Sequence, residues 1–146
     1  IDGQQKMSKS LNNHIELAAD DEETRRRVLT MVTDTSRVYR RDPGHPEICN
    51  VYALHGFYSP DRTEEIARDC RGAVLGCVDC KRLLAQNINA AMAPFRARRA
   101  ELAAEPGLVE DVLAAGAGRA RAIASATMAE VRQHIHGEGR GTEAQR

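Results

Sequence analysis

The chain has 146 residues with 21 basic side chains against 21 acidic ones, so its formal net charge is zero and bulk charge does not mark a nucleic-acid partner. That length supports one domain with a real core and gives no reason to propose two. Only 3% of the residues are aromatic, Trp is absent, and no apolar run approaches membrane-spanning length, so the composition favours helices over sheets and a cytosolic protein over a membrane one.

Near its start the chain carries Lys6-Met7-Ser8-Lys9-Ser10. A lysine ammonium is a compact charge on a long flexible stem, suited to following phosphate oxygens as charge moves during a reaction. The Ser8 and Ser10 hydroxyls and nearby N–H groups can bond the same oxygens, while Met7 packs the loop down and Gly3 lets it move at small steric cost. A generic K-x-x-K would be a solvated basic turn. The full pentapeptide at the head of a helical region reads instead as a phosphate-gripping loop.

Beyond residue 19 the predicted elements are all helical. Asp20 caps a first helix, with Glu23 three residues on and acids at the positive helix end; it carries Val28, Leu29, Met31 and Val32 and gives way near Thr33-Asp34. Arg25-Arg26-Arg27 behind Glu22-Glu23 form a salt-bridged face. Two prolines and a glycine make Arg40 to Pro46 a loop. Pro46 suits the first turn of a helix from about Glu47 to Tyr58, and Ser59-Pro60 repeats that start for a helix ending near Gly72.

A long helix is predicted from about Val78 to Ala104, with Leu84, Ile88, Met92 and Phe95 on a core stripe and a kink or break at Pro94. Glu105-Pro106-Gly107 then leads to a short helix with Leu108, Val109, Val112 and Leu113. A last helix sets Ala120, Ile123, Ala124, Thr127, Met128, Val131 and Ile135 at i, i+3, i+4 spacing. From Gly137 onward the polar, glycine-rich tail is expected to be disordered.

Cys49, Cys70, Cys77 and Cys80 are all the cysteines, separated by 20, 6 and 2 residues. The C-x-x-C pair brings two thiolates within reach of one centre, and the Gly72–Gly76 turn joins the helix ends that carry Cys70 and Cys77. Four soft thiolates suit tetrahedral Zn²⁺ or a [4Fe–4S] cluster, and disulfides are the weaker reading in a reducing compartment. Arg71, Lys81 and Arg82 flank this site and either offset the charge of an anionic centre or contact RNA phosphates and bases. Arg96, Arg98 and Arg99 form a second basic patch, more simply a solvated helix face. His134 and His136 make no metal pair with the cysteines, and His45 and His55 are not needed as ligands.

The pentapeptide matches the signature loop of class I aminoacyl-tRNA synthetases, which in that family closes over ATP. The glycine-rich first turn and the parallel Rossmann-like sheet of that family are not readable here. Thr33-Asp34-Thr35-Ser36, Asn50-Val51-Tyr52, Gly116-Ala117-x-Arg119-Ala120-Arg121 and Ala126-Thr127-Met128-x-x-Val131-Arg132 resemble the anticodon-binding half of the bacterial tryptophanyl-tRNA synthetases, over nearly everything from Asp2 to about Gly137.

The resemblance implies an all-α, helical-bundle anticodon-binding domain over 20–136, preceded by a loop and link over 1–19 from a Rossmann-like catalytic domain, with 137–146 as a tail. It implies a C-terminal piece of an enzyme that joins tryptophan to tRNA(Trp) with ATP and Mg²⁺, homodimeric when whole and not active as this piece alone. Lys6 and Lys9 would stabilise the triphosphate, with Met7, Ser8 and Ser10 completing the ATP loop. A subset of the family binds a [4Fe–4S] cluster through a similar cysteine pattern whose first spacer is slightly longer, which sets the cluster ahead of zinc. Two other classes stay open: a freestanding RNA-binding or regulatory module derived from such an enzyme, and a structural metal-bound helical domain.

Overall fold

The computed structural model describes Ile1 and residues 3–137. Among them the regular elements are helices alone: α1 (Asp21–Leu29), α2 (Asn50–Tyr58), α3 (Thr63–Arg71), α4 (Cys77–Ala103) and α5 (Leu108–His136), with single 3-10 turns at Pro46–Ile48 and Pro60–Arg62. The chain divides into two compact units, Ile1–Ala100 and Glu101–Arg146. Among the described residues no helix is long and apolar enough to cross a membrane. The expectation for the tail beyond Gly137 lies outside the described residues.

α1 starts where its cap places it. Asp20 is extended, and its carboxylate accepts the Glu23 N–H at 2.7 Å, satisfying one donor of the open first turn. The salt-bridged face is present, with Arg25 on Glu22 at 2.6 Å and Arg26 on Glu23 at 2.7 Å. Its inner face buries Thr24 and Val28. There Arg96 of α4 donates to Thr24 Oγ1 at 2.9 Å and pairs with Asp21, so this member of the second basic patch ties α1 to α4.

The helix predicted from Glu47 is interrupted. Pro46 starts a 3-10 turn closed by the Cys49 N–H on the Pro46 carbonyl at 3.1 Å, and Cys49 itself is extended before α2 begins at Asn50. The expected Ser59 cap is also absent as a cap. Its hydroxyl lies 2.8 Å from His55 Nδ1 and accepts from Asn87 Nδ2 at 2.7 Å, so the buried polar demand of His55 wins over the helix start. α3 ends at Arg71, and Gly72 follows with its N–H on the Arg68 carbonyl at 2.9 Å.

α4 carries the core stripe for half its length. Leu84, Ala85 and Ile88 are buried with Val28, Met31, Val51 and Ile66, and Met92 is partly buried against them. Phe95, expected to continue the stripe, is 47% exposed. The helix runs on through Pro94. A proline removes one intrahelical bond, and the flanking Ala90, Ala91, Ala93 and Ala97 are strong helix formers that tolerate this.

The second unit holds α5, one helix where two were predicted. Gly116 and Gly118 do not break it, because alanines surround them. Its apolar stripe, including Ile123, Met128, Val131 and Ile135, is exposed. A single helix offers no second surface within its own unit against which to bury a stripe.

Candidate functional site

The Lys6–Ser10 loop is shaped from behind. Asn13, buried, accepts the Ser8 N–H on Oδ1 at 2.7 Å and donates from Nδ2 to the Lys6 carbonyl at 3.3 Å. The Ser8 and Ser10 hydroxyls share a hydrogen bond at 2.8 Å. Lys6 and Lys9 are exposed. Asn12 turns the chain with φ 50°, a left-handed conformation that asparagine tolerates better than most residues. Met7 lines an apolar cavity of about 200 Å³ with Ile15, Leu54, Tyr58, Ile88 and Met92, so the loop's one apolar side chain borders the same space as α2 and α4. Asn13 was not singled out from the sequence; a polar residue three positions past the last loop serine is weak evidence without the fold.

The four cysteines come from three elements and line one enclosed cavity of about 20 Å³, completed by Thr33, Asp34, Arg37 and Leu75. Cys49 precedes α2, Cys70 is in the last turn of α3, and Cys77 and Cys80 occupy the first turn of α4. All four are free thiols, and Cys80 is buried. Gly44 makes the close approach possible: a Cβ there would stand 2.4 Å from Cys70 Sγ, and its N–H donates to the Cys70 carbonyl at 3.0 Å.

Asp34 clamps the loop that closes the cavity. It accepts the His45 N–H at 2.9 Å, the Ser36 N–H at 2.9 Å and the Ser36 hydroxyl, and its Oδ2 is 2.8 Å from His45 Nδ1. Burial alone would raise its pKa, but these hydrogen bonds outweigh it and hold the carboxyl well below the usual range.

Arg37 brings positive charge to the cavity wall that also carries Asp34. Arg37 Nη1 donates to the Leu75 carbonyl at 3.0 Å and lies 3.8 Å from Cys77 Sγ, and Nη2 donates to the Arg40 carbonyl at 2.6 Å. Its Nε is buried with no hydrogen-bond partner. Burial pushes the Cys80 thiol up to about 12 and raises that of Cys70, the latter opposed by Arg37. Both sulfurs are therefore neutral thiols unless a cation joins them.

Among the described residues no group of three or more His, Cys, Asp or Glu side chains is arranged to hold a metal ion as it stands. The donor chemistry fits a soft metal centre nonetheless. Four thiols share one enclosed space, and an orphaned guanidinium N–H beside them lacks an anionic acceptor.

The flanking basic residues fare differently from one another. Lys81 Nζ donates to the Leu29 carbonyl at 3.1 Å in a half-buried position, which joins α4 to α1. Arg71 pairs with Glu47, and Arg82 pairs with Asp79 at 2.9 Å. Both pairs are solvent-exposed and hence weakly held. A half-open pocket of about 450 Å³ next to the cysteines is lined by Arg37, Val38, Tyr39, Arg40, Val78 and Arg82 among others. The Tyr39 ring is 61% exposed, with the Arg41 guanidinium 5.4 Å from its centroid.

The family of class I tRNA synthetases for tryptophan and tyrosine matches residues 1–93, which include the Lys6–Ser10 loop and all four cysteines. The chain belongs to that family. The tryptophan–tRNA ligase of Aquifex aeolicus is 40% identical over 133 residues, covering 90% of this chain and 34% of that protein. That of Deinococcus radiodurans is 42% identical over 136 residues, covering 92% and 41%. The crystal structure of tryptophanyl-tRNA synthetase from Campylobacter jejuni complexed with ADP and tryptophan matches with a TM-score of 0.78 at 26% identity, covering 90% of this chain and 41% of that one. The chain thus spans a third to two fifths of the length of these synthetases.

Proposed function

We propose that this chain is the C-terminal part of a tryptophan–tRNA ligase, in which residues 1–19 supply the ATP-phosphate loop and 20–136 the helical anticodon-binding domain. The enzyme activates tryptophan with ATP and Mg²⁺, transfers it to tRNA(Trp), works as a homodimer in the cytosol, and needs a catalytic domain that this stretch does not contain. The observation that carries the reading is the pentapeptide Lys6–Ser10, braced by Asn13 with both lysines exposed. Lys6 and Lys9 are then the catalytic residues. They contact the triphosphate and offset the charge that builds as the adenylate forms, a positioning and electrostatic role. Met7, Ser8 and Ser10 complete the ATP contact. In the whole synthetase, Lys6→Ala or Lys9→Ala should lower tryptophan-dependent ATP–pyrophosphate exchange by roughly 10²–10³-fold with the fold intact. Unchanged exchange would refute the loop's role.

RNA is met beside the cysteines. Of the three basic residues flanking them, Arg71 and Arg82 can exchange an exposed carboxylate for phosphate, whereas Lys81 is occupied within the fold. The pocket walled by Arg37, Tyr39, Arg40 and Arg82 offers a cationic rim and an exposed ring, the combination on which unstacked single-strand bases settle.

The four cysteines hold a metal centre that pins α2, α3 and α4 together. The family resemblance and the unpartnered Arg37 N–H favour a [4Fe–4S] cluster, whose thiolate-ligated core is anionic. A single Zn²⁺ is the second reading, favoured by a cavity of about 20 Å³, close to the space of one small ion or water. Iron, sulfide and zinc analysis of anaerobically purified protein separates them. About four irons per chain with a brown colour establishes the cluster, and one zinc without colour establishes the tetrahedral site.

A further inference from the structure

His55 is fully buried in α2, and its polar contacts run in one direction. Its Nε2 lies 3.3 Å from the Cys80 carbonyl oxygen and 3.4 Å from Cys80 Sγ. A carbonyl oxygen can only accept, so Nε2 carries the hydrogen. With Nε2 as the donor, the other nitrogen of a neutral imidazole, Nδ1, is an acceptor. The Ser59 hydroxyl, 2.8 Å from Nδ1, must therefore donate to it. Its oxygen is then free to accept, and Asn87 Nδ2 donates there at 2.7 Å. Every hydrogen in the series points the same way: Asn87 to Ser59, Ser59 to His55, His55 to Cys80.

We propose that Asn87, Ser59 and His55 form a hydrogen-bond relay that presents the Cys80 sulfur to a bound metal centre as an oriented ligand. The inference rests on the reading of the four cysteines as a metal site, and it assigns that site three residues beyond the thiols. A neutral thiol is a weak acceptor, whereas a metal-bound thiolate is a good one. The Nε2–H is shared between the carbonyl and the sulfur, so the donor is already aimed when the thiol loses its proton to solvent on metal binding. Each member sits on a different part of the scaffold: His55 in α2, Ser59 just beyond it, and Asn87 two turns along α4 from Cys80. The relay thus fixes how α2 and α4 meet at the site. His55 and Ser59 are positioning residues; neither is a ligand.

Cobalt(II) titration of the unchanged chain under reducing conditions tests this, with thiolate-to-metal charge-transfer bands as the readout and the metal-free unfolding midpoint measured in parallel. Removing a group that orients a metal ligand costs roughly 10–100-fold in affinity. His55→Phe should weaken cobalt binding by that factor, and Ser59→Ala should weaken it less. His55→Gln, whose amide nitrogen reaches close to the Nε2 position, should recover most of the loss. Equal affinity in the unchanged chain, His55→Phe and Ser59→Ala would overturn the relay, and so would a shift confined to the metal-free unfolding midpoint. If the unchanged chain binds no cobalt through its thiols, the metal-site reading itself fails and the relay falls with it.

Discussion

Arg27 of α1 grips Asn12 at two points across fifteen residues, with Nη1 donating to the Asn12 carbonyl at 2.8 Å and Nη2 to its Oδ1 at 2.6 Å. Asn12 closes the turn over residues 9–12 that holds Lys9 and Ser10, so α1 sets where the Lys6–Ser10 loop ends. Arg27→Ala should leave α1 formed, because Glu23 keeps its bond with Arg26. Amide hydrogen exchange at Asn12, whose N–H donates to the Lys9 carbonyl at 3.1 Å, should speed up while the α2 and α4 core amides keep their protection. Unchanged exchange at Asn12 would show that the loop end is held by other contacts.

Asp34→Asn should destabilise the first unit by about 2 kcal/mol near neutral pH, the scale of hydrogen bonds made to a charged group. The pH dependence follows from the direction of its shift. Its carboxyl is held low in the folded state, so the stabilisation is present above the unfolded carboxylate range and fades as pH falls toward the folded value. Urea midpoints of the two proteins should therefore differ most near neutrality and draw together from about pH 5 downward. A gap that widened in acid would contradict the assignment.

Leu84 and Phe95 lie on the same predicted stripe of α4 and should respond differently. Leu84 is fully buried, and Leu84→Ala should cost about 3 kcal/mol in urea unfolding through lost burial and a residual cavity. Phe95→Ala at a half-exposed position should stay within about 1 kcal/mol. Equal losses at the two positions would mean that Phe95 is covered by something other than the first unit.

These contrasts mark what could be read from residue order. Local chemistry was legible: Asp20 as a cap, the proline-rich Arg40–Pro46 loop, the end of α3 at Gly72, and four cysteines meeting at one place. Features decided by what lies opposite were not. Periodicity names the stripe on α4 but not where its cover ends, so it predicts Phe95 inside where the structure leaves it half exposed. The same limit applies to α5, whose faultless spacing meets no partner surface within its own unit. Alanine-rich surroundings carry α4 past Pro94 without a break and make one helix of the two predicted after Gly107. Ser59 reads as a cap in the sequence because its demand from His55 and Asn87 arises only in three dimensions. The i, i+4 spacing of His55 and Ser59 was the available signal.

Gly44→Ala should disrupt the cysteine site without touching a cysteine. The new methyl would overlap Cys70 Sγ and crowd the Cys70 carbonyl at 3.3 Å, which turns the thiol out of the cavity. Metal content per chain after anaerobic purification should fall to below about half that of the unchanged chain, the loss that second-sphere changes of this size bring or exceed. Full metal content in Gly44→Ala would place Cys70 outside the ligand set.

The central claim is that this chain reads a tRNA anticodon beside its cysteine site. Binding of a tRNA(Trp) transcript, compared with one carrying a changed anticodon, tests it most directly. Loss of a stacked, recognised base costs about 1–3 kcal/mol, so the changed transcript should bind roughly tenfold or more weakly, and Tyr39→Ala should erase much of the difference. Equal binding of both transcripts would contradict the account and point to a general RNA-binding module. Failure to bind either, with the metal in place, would leave a structural metal-bound helical domain.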